Sequence, residues 1–281
     1  MLLASIRRTR LHLRGFAFRR RLMAELPTMK LSNVIYCGDN LEWMRKMPDE
    51  FVDLVYADPP FFSNKHYEVI WHDGAEIRSF EDRWQGGVHH YIEWMRMRCE
   101  LMHRLLKPHG VLYLHCDWHA SHYLKVMLDD LFGQSSFLNE IVWWYENKPQ
   151  DARKKILPRD YDTILVYAKT YGGQFYAPQY VPTVRPRKQN KVIKVDGRRV
   201  SARDENGNVI YEFRDKKMLG SVWPIPYLNP VAKERLGYPT QKPRALLRRI
   251  IETSSAKGAL VLDPFCGCGT SIIAAQELGR E

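Results

Sequence analysis

Short apolar runs alternate with amphipathic stretches along most of this chain, and that alternation limits its fold more than any other feature. The apolar runs that read as strands are NVIYCG (33–38), VDLVYA (52–57), VLYLHC (111–116) and ALVL (259–262). Helical spacing of apolar residues is found at 41–47, 88–106, 119–133, 243–255 and 271–278. Strands that alternate with helices form a mostly parallel sheet with helices on both faces. We therefore expect an α/β fold with a Rossmann-like sheet.

Composition narrows the class of protein. Hydrophobic residues make up 45% and charged residues 27% of the chain, and no apolar run approaches the roughly 20 residues of a membrane span. The net charge of +11 and the pI near 9.4 favour a polyanionic partner. Five cysteines are an odd number in a chain long enough to need no disulfides. We expect a cytoplasmic protein with no membrane segment.

The first 29 residues differ from the rest. They contain seven arginines, and the first acidic residue is Glu25. An organelle presequence has this composition, and so has a basic arm. Translation from Met23 or Met29 would instead remove most of the segment. These three interpretations stay open, and residues 1–29 are expected to lie outside the fold.

The block from Lys148 to Gly220 is basic and poor in helical patterns. It carries seventeen Lys and Arg against eight Asp and Glu, and its Asp196-Gly197 and Asn206-Gly207 pairs are typical hairpin turns. The aromatic residues interleaved with these charges are Tyr161, Tyr167, Tyr171, Phe175, Tyr176 and Tyr180. A solvated surface loop would explain the charge alone. Aromatics between basic residues favour nucleic-acid contact, so we expect a small β-rich basic insertion.

Two predicted strands end in an acidic residue and an unusual turn. LVYADPPF closes on Asp58, two prolines that cannot continue a ladder, and an aromatic ring. VLDPFCGCGT closes on Asp263 and a turn with Gly267 and Gly269 that opens a helix. In open α/β sheets, ligands bind beyond the carboxyl ends of strands, where glycines let the backbone approach closely. Both turns are therefore candidate site segments.

The segments DPPF and DPFCGCGT together resemble the amino-methylating DNA methyltransferases. The tetrapeptide precedes the glycine turn, and this circular order is similar to the β group of that family. Further similar segments are CGDNLEWMRKMPDEFVDLVYADPPF, GVLYLHCDWHASHYLKVMLDDLFG and YPTQKPRALLRRII. The resemblance runs from about Asn33 to the last residue. It implies a circularly ordered sheet, S-adenosylmethionine as cofactor and double-stranded DNA as partner. A restriction endonuclease of the same system and a homodimer stay open as further partners.

The resemblance also implies roles for particular residues. The implied catalytic residues are Asp58, Pro59, Pro60 and Phe61. The residues implied to line the methionine and adenosine site are Asp263, Phe265, Gly267, Gly269 and Thr270. Those implied to lie beside the methionine carboxylate are Thr240, Gln241 and Lys242, where a Lys cation is chemically apt. Asp39 would accept a hydrogen bond from the amino group of the cofactor's adenine.

The DPPF segment suits one chemical task. An exocyclic amine of adenine or cytosine is a poor nucleophile because its lone pair is delocalised into the ring. The Asp58 carboxylate and the Pro59 carbonyl could accept both amino hydrogens and localise that lone pair for in-line attack on the sulfonium methyl. The prolines hold these acceptors rigidly, and Phe61 can stack on a base flipped out of the duplex.

The alternatives differ in the base and in activity. Methylation of a cytosine carbon needs a nucleophilic Cys, usually after a Pro, and none of the five cysteines follows one. Asp before Pro-Pro resembles the members that modify adenine at N6, with N4 of cytosine as the alternative. A DNA-binding remnant of the fold with little activity is the remaining candidate.

A metal site is not expected. His119 and His122 are spaced i, i+3 on a predicted helix near His115 and Asp117. The family's ordinary strand-to-helix turn explains them without a metal, and the His and Asp residues could line the base pocket. Cys266-x-Cys268 lacks the further ligands of a zinc site.

The resemblance divides the chain into functional segments. They are a catalytic half (30–147), a target-recognition region (148–236) and a cofactor-binding segment (237–281). The family continues past the cofactor-loop helix into a strand whose acid binds the cofactor's ribose. The chain stops at Glu281, before any such strand, so we expect a truncated segment that binds the cofactor weakly.

Overall fold

The computed structural model describes residues 29–63, 66–70, 77–81, 86–149 and 155–281, with the backbone alone at 66–70 and 77–81. Except for Met29, the expected basic arm lies outside the described residues. The chain divides into two units, 1–37 and 38–281. All the helices and strands that the structure describes belong to the second unit.

The elements follow the predicted alternation. The helices are α1 (Asn40–Lys46), α2 (Gly87–Leu105), α3 (Ser121–Phe132), α4 (Arg244–Ser254) and α5 (Thr270–Glu277). The first six strands are β1 (Val52–Ala57), β2 (His66–Ile70), β3 (Ile77–Glu81), β4 (Leu106–Cys116), β5 (Phe137–Trp144) and β6 (Tyr161–Ala168). The others are β7 (Tyr180–Asn190), β8 (Val192–Val195), β9 (Arg198–Ser201), β10 (Tyr211–Met218), β11 (Val222–Pro224) and β12 (Val261–Leu262). None of the helices in the described residues has the length and apolar character that a membrane span requires.

Six strands form the central sheet, in the order β11-β5-β6-β4-β1-β12. Neighbouring strands run parallel except at β6, which is antiparallel to both β4 and β5. The expected mostly parallel sheet is therefore confirmed. Three of its strands, β1, β4 and β6, are buried along most of their length. The continuous apolar runs predicted this for β1 and β4.

Helices cover both faces of this sheet. Alternate residues of β1 and β4, such as Leu54 and Val111, pack with Leu247 of α4 and Ala274 of α5 in one core. On the opposite face, the hydroxyl of Tyr167 in β6 donates a hydrogen bond to Asp129 in α3. This confirms the predicted three-layer arrangement of helices, sheet and helices.

The first expected strand, 33–38, is wrong. Residues 34–37 pair with no strand in the described part of the chain, and the side chains of Val34 and Ile35 are exposed. An apolar run becomes a strand only where a neighbour completes its ladder, and the run itself cannot specify that neighbour. The expected helix after it is correct and begins at Asn40, with Asp39 as its N-cap.

The expected recognition region contributes two strands, β6 and β11, to the central sheet. Its separate β structure spans 180–218, where β7 pairs with β10 and β8 with β9, both antiparallel. The hairpin turn at Asp196-Gly197 is confirmed, with positive φ at both residues. Tyr167 is completely buried in the core, so the expectation that it contacts nucleic acid is wrong.

Candidate active site

The carboxyl ends of three parallel strands meet at one edge of the sheet. β1 lies between β4 and β12, with Val55 opposite Leu262. Asp58 follows β1, Asp263 follows β12 and His115 lies at the end of β4. The two acidic turns of the sequence, which are far apart along the chain, are therefore neighbours in space.

Asp58 is held between a cation and an imidazole. Its Oδ2 accepts a hydrogen bond of 2.6 Å from Nζ of Lys242, and both side chains are largely buried. Its Oδ1 is buried, has no hydrogen-bond partner among the described residues and lies 3.7 Å from Nδ1 of His115. A buried carboxylate oxygen without a partner is costly. This oxygen therefore marks a place where a ligand can supply a donor.

His115 is the centre of a buried network. The ring is fully buried, with Nδ1 2.9 Å from the hydroxyl of Tyr56 and Nε2 3.3 Å from Oδ2 of Asp162. Tyr145 donates its hydroxyl hydrogen to Oδ1 of Asp162 at 2.9 Å. These contacts connect Asp58, through His115, to a second carboxylate on β6.

Two groups of this network, Tyr56 and Asp162, have shifted pKa values. Burial raises the pKa of Tyr56 well above its ordinary value, and the carboxylate of Asp58 raises it further, so the phenol keeps its proton. Burial would also raise the pKa of Asp162. The hydrogen bond and charge of His115, together with the charge of Lys242, outweigh this, so the pKa of Asp162 lies below its ordinary value. Asp162 is therefore a carboxylate at neutral pH.

The rest of DPPF is fixed by aromatic neighbours. Pro59 is buried, and the carbonyl of Pro60 accepts a hydrogen bond of 2.7 Å from the hydroxyl of Tyr91 in α2. The ring of Phe61 lies 5.3 Å from that of His115, and Nζ of Lys242 lies 5.0 Å from the Phe61 ring centroid. The tetrapeptide thus presents one carboxylate and one half-buried ring at a rigid position.

Asp263 is the second acid of the site. Its Oδ1 accepts a hydrogen bond of 2.9 Å from the backbone N–H of Phe265, and its Oδ2 accepts one from the hydroxyl of Ser271 in α5. Burial raises the pKa of Asp263 to about 7, against the lowering effect of these hydrogen bonds, and the negative charge of Asp58 adds to the rise. Asp263 therefore changes its charge near neutral pH.

The glycine turn continues from Asp263 into α5. Gly269 has φ +82° and precedes the first helical residue, Thr270, which is buried. Gly267 has φ +53°, and a Cβ there would lie 3.2 Å from the ring of Tyr238. The turn therefore requires glycine for its backbone conformation and for this close approach.

Asp39 lies beside the turn at 263–270 (DPFCGCGT), which we call the DPF turn, through its neighbour Asn40 in α1. Asp39 caps α1 at the N–H of Leu41 and pairs with the buried guanidinium of Arg98 at 3.2 Å. Arg98 also donates to Oδ1 of Asn40, whose Nδ2 donates to the carbonyl of Pro264 at 2.9 Å. This chain of contacts fixes the start of α1 against the turn.

The segment Thr240–Gln241–Lys242 reaches the site through its lysine. Nζ of Lys242 donates to Asp58 and, at 3.4 Å, to the carbonyl of Thr240. The amide of Gln241 instead joins the carbonyl of Glu234 and the N–H of Leu236, so it holds the preceding loop together.

The histidines after β4 have partners that explain them. Nδ1 of His119 lies 2.7 Å from Oδ2 of Asp117, and Nδ1 of His122 lies 3.1 Å from the hydroxyl of Ser121. Within the described ranges, no three His, Cys, Asp or Glu side chains form a group that could hold a metal ion.

β7 and β10 form an antiparallel pair of strands, which we call the ribbon. The ribbon carries a basic surface. The ribbon borders a groove of about 720 Å³ whose lining includes Arg185, Arg187 and Arg214, with Gln189 and Glu212. Glu212 pairs with Arg214 at 3.1 Å. In the part of the chain that the structure describes, Arg185 and Arg187 have no carboxylate partner, and both are exposed. The ribbon can therefore offer its charge to a polyanion.

Sequence reasoning missed several site residues. They are Tyr56, Trp94, Arg98, Tyr145, Asp162 and Tyr238. Asp162 had a usable signal, because it is an acidic residue just before the buried run TILVYA. Trp94 lies on α2 with its ring 6.0 Å from that of Phe265, and helical spacing gave no sign of this contact.

Comparison with known proteins decides the family. A family model described as DNA methylase, covering N6 and N4 enzymes, matches residues 52–281. The chain belongs to this DNA methylase family. It is a DNA methyltransferase that uses S-adenosylmethionine, and the match contains both acidic turns of the site.

Individual relatives agree with this assignment, and a solved structure shares the fold. The DNA adenine methyltransferase YhdJ of Escherichia coli (strain K12) is 29% identical over 89% of this chain and 76% of its own. The Type II methyltransferase M2.DpnII of Streptococcus pneumoniae is 28% identical over 92% of this chain and 86% of its own. The cytosine-N4-specific PvuII DNA methyltransferase shares the fold with a TM-score of 0.57 at 16% identity, over 88% of this chain and 78% of its own.

Proposed function

We propose that this DNA methyltransferase methylates the N6 amino group of adenine in double-stranded DNA. The observation that carries the proposal is the buried Oδ1 of Asp58, which has no hydrogen-bond partner among the described residues. A buried acceptor is what an exocyclic amine needs. The choice of adenine rests on the Asp before Pro-Pro and on the name of the relative YhdJ, a DNA adenine methyltransferase.

The tetrapeptide DPPF, which we call the amine clamp, would activate the target nitrogen. Asp58 and the carbonyl of Pro59 accept the two amino hydrogens, which draws the nitrogen toward tetrahedral geometry. Since these acceptors are fixed before the substrate binds, little reorganisation is needed in the transition state. Pro60 is held by Tyr91, and the half-buried ring of Phe61 offers a surface on which a flipped base can stack.

The residues of the DPF turn fit S-adenosylmethionine. Asp263 offers a carboxylate to its cationic methionine end, and Gly267 and Gly269 leave the backbone open for close approach. Thr270 and Phe265 would line the rest of the cofactor site. Asp39 is assigned to the amino group of the cofactor's adenine. When bound, the cofactor supplies a methyl group on a positively charged sulfur.

Lys242 would change partners during binding. In the free protein its ammonium pairs with Asp58 and lies over the ring of Phe61. A flipped base would need the face of Phe61, and its amine would approach Oδ1 of the same carboxylate whose Oδ2 is held by Lys242. The methionine carboxylate offers Lys242 an alternative partner beside Thr240 and Gln241, so cofactor binding would release Asp58 for the amine.

The ribbon would supply the main DNA contacts. A two-stranded antiparallel ribbon fits the major groove, and Arg185 and Arg187 can reach phosphates or guanine edges. Their exposure supports this role. We further assign the protein to the cytoplasm, since all five cysteines are free thiols. The names of M2.DpnII and other Type II relatives make a restriction endonuclease a candidate member of the same system.

The test is identification of the product. Purified protein is incubated with duplex DNA and S-adenosylmethionine labelled in the methyl group, and the DNA is digested to nucleosides for mass spectrometry. Labelled N6-methyladenine is the expected product. Labelled N4-methylcytosine would assign the clamp to the other amine, and no labelled nucleoside under any sequence context would contradict the proposed activity.

A further inference from the structure

Trp118 and Arg159 form an exposed pair that neither the clamp nor the cofactor site uses. The guanidinium carbon of Arg159 lies 3.5 Å from the centroid of the Trp118 ring, and 45% of Trp118 is exposed. Arg159 is exposed as well. Among the described residues, no carboxylate pairs with its guanidinium and no oxygen accepts a hydrogen bond from it. The pair therefore presents a cation that is held in place but not neutralised.

The ring under this cation is anchored to the central sheet. Trp118 lies in the turn after β4, and its ring centroid is 3.7 Å from that of His119. Asp117 accepts a hydrogen bond of 2.9 Å from the backbone N–H of His119, and its Oδ2 lies 2.7 Å from Nδ1 of the same histidine. These contacts fix the support of the guanidinium to the end of β4.

Stacking on a ring leaves a guanidinium able to bind an anion. Its five N–H donors lie in the plane of the group, so a ring against the face of that plane leaves the donors at its edge available. Two of them can point at one phosphate in parallel, which is the geometry that arginine uses for phosphate recognition. A guanidinium that is already held on a ring also loses less side-chain freedom when it binds.

The pair lies at the same edge of the sheet as the amine clamp. Trp118 follows His115 by three residues, a separation of at most roughly 11 Å along the chain. Arg159 precedes Asp162 by the same number. The ring of His115 joins these positions to the clamp, because it lies 3.3 Å from Oδ2 of Asp162 and 3.7 Å from Oδ1 of Asp58. The phosphates on either side of a flipped nucleotide must approach this edge when its base enters the clamp, since they are covalently joined to it.

The charges next to the pair also favour an anion. Lys148 is exposed, with its Nζ 4.9 Å from the ring centroid of Tyr145, and it donates a hydrogen bond to the carbonyl of Arg159. The adjacent acid, Asp160, accepts a hydrogen bond of 3.1 Å from the indole N–H of Trp144. Two exposed cations thus lie side by side, while the neighbouring carboxylate already has a donor.

We propose that Arg159, held on the ring of Trp118, binds a backbone phosphate of the target strand beside the flipped nucleotide. The proposal rests on the clamp role of Asp58 given above. It adds to the enzyme a phosphate site formed by residues outside the ribbon. The site serves a flipped adenine and a flipped cytosine equally, because phosphate contacts position the strand and carry no base identity.

The experiment removes single negative charges from the DNA. Duplexes that contain the methylated site, as mapped by sequencing, carry one neutral methylphosphonate at each position within three nucleotides of the target. Fluorescence titration measures their affinity for the full chain with the demethylated cofactor bound, so that no methyl group is transferred. Wild type should lose about tenfold or more in affinity when the phosphate that Arg159 contacts is replaced.

The variant Arg159→Ala should reproduce that loss on unmodified DNA. It should show no further loss at the one phosphate that Arg159 contacts, because a single contact cannot be lost twice. Its slope of log affinity against log salt should fall by about 0.9. The single-turnover rate at saturating DNA should change less than the affinity, since the phosphate contact is the same before and during methyl transfer.

The matched control is Lys46→Ala. Nζ of Lys46 lies 4.6 Å from the ring centroid of Trp43, so this variant also removes one charge that is stacked on an indole. Lys46 is the last residue of α1, whereas the first residue, Asn40, contacts the DPF turn. The control should respond to every methylphosphonate as the wild type does.

The outcomes separate the phosphate site from a structural role and from the proposed function. If Arg159→Ala keeps the wild-type loss at every flanking phosphate, or if wild type tolerates all the methylphosphonates, the phosphate site is refuted while methylation stands. If circular dichroism shows that Arg159→Ala misfolds, Arg159→Lys decides instead. A lysine keeps the charge without two parallel donors, so it should show an intermediate loss at the same phosphate, and a full wild-type response refutes the site. If wild type methylates no DNA amine, it is the proposed function that fails.

Discussion

The charged side chains of the amine clamp and of the basic ribbon lie in opposite environments, one buried and one exposed to solvent. The clamp acid Asp58 has a largely buried side chain that pairs with Lys242 and lies near His115, at the end of a mostly buried strand. The ribbon arginines Arg185 and Arg187 are exposed and, among the described residues, unpaired. In a dry site a charge interacts strongly with one chosen partner, whereas in water it interacts weakly and is screened by salt. The first arrangement suits chemistry, and the second suits attraction of a long polyanion.

Loss of the clamp charge should have the largest effect. Asp58→Ala removes the acceptor that acts on the amine in the transition state, so the methylation rate should fall by about 10³-fold, with DNA and cofactor binding largely retained. Single-turnover kinetics and calorimetry measure the two quantities. Asp130→Ala, at an exposed acid on α3, is the matched control. Near-wild-type turnover in Asp58→Ala would refute the clamp role.

Removal of ribbon charge should weaken binding rather than chemistry. Arg185→Ala with Arg187→Ala should reduce the slope of log affinity against log salt by about 0.9 for each phosphate contact that is lost. Arg96 and Arg248 already pair with Asp130 and Glu277, so the double variant Arg96→Ala with Arg248→Ala loses the same charge and should leave the slope unchanged. DNA titrations at several salt concentrations distinguish the two. Equal slopes in both variants would show that DNA binds to a surface other than the ribbon.

Deletion within the ribbon separates recognition from cofactor binding. Replacing about Arg185 to Lys217 by a short glycine linker should remove sequence preference before it affects the S-adenosylmethionine site, since no clamp or DPF-turn residue lies in that range. The methylated sites are mapped by sequencing. An unchanged methylated sequence would show that recognition lies outside the ribbon.

Asp263 should make cofactor affinity depend on pH. Its pKa of about 7 in the free protein means that it is largely protonated at pH 6, whereas the cationic cofactor favours the carboxylate. Affinity should therefore fall by up to about tenfold for each unit below pH 7. Asp263→Asn should remove this dependence. The same raised pKa means that the free protein loses stability as the pH rises from about 4 to about 7, because the folded state binds the proton more tightly than the unfolded chain. Calorimetry from pH 5.5 to 8 would contradict the prediction if both proteins gave the same curve.

The smallest effect is expected on the ribbon surface. Val184 in β7 is 94% exposed, so Val184→Ala should change the free energy of unfolding by less than about 0.5 kcal/mol. The same truncation at Val111 in β4, which is fully buried, should cost about 2 kcal/mol from lost burial and the resulting cavity. Denaturant melts measure both. A cost at Val184 as large as that at Val111 would mean that the ribbon packs against something the exposed surface does not reveal.

The features that depend on residues close together in the chain could be predicted from the sequence. The buried runs of β1 and β4, the end of α3 at Gly133, the turn at Asp196-Gly197 and the acids at two strand ends all follow from apolar period and backbone restriction. Each of these signals is contained in about ten consecutive residues. They sufficed to predict the α/β sheet and the two turns that form the site.

The contacts between segments that are far apart in the chain could not be predicted from the sequence. Residues 33–38 look like a strand but pair with none among the described elements, while Tyr161–Ala168, assigned from composition to the basic insertion, is a central strand. The contact of His115 with Asp162 joins β4 to β6, and that of Lys242 with Asp58 spans 184 residues of chain. The strand that pairs with a given strand, or the residue that neutralises a buried charge, lies far away in the sequence. A pattern of neighbouring residues therefore cannot predict it. That is why the acids were predicted and their partners were not.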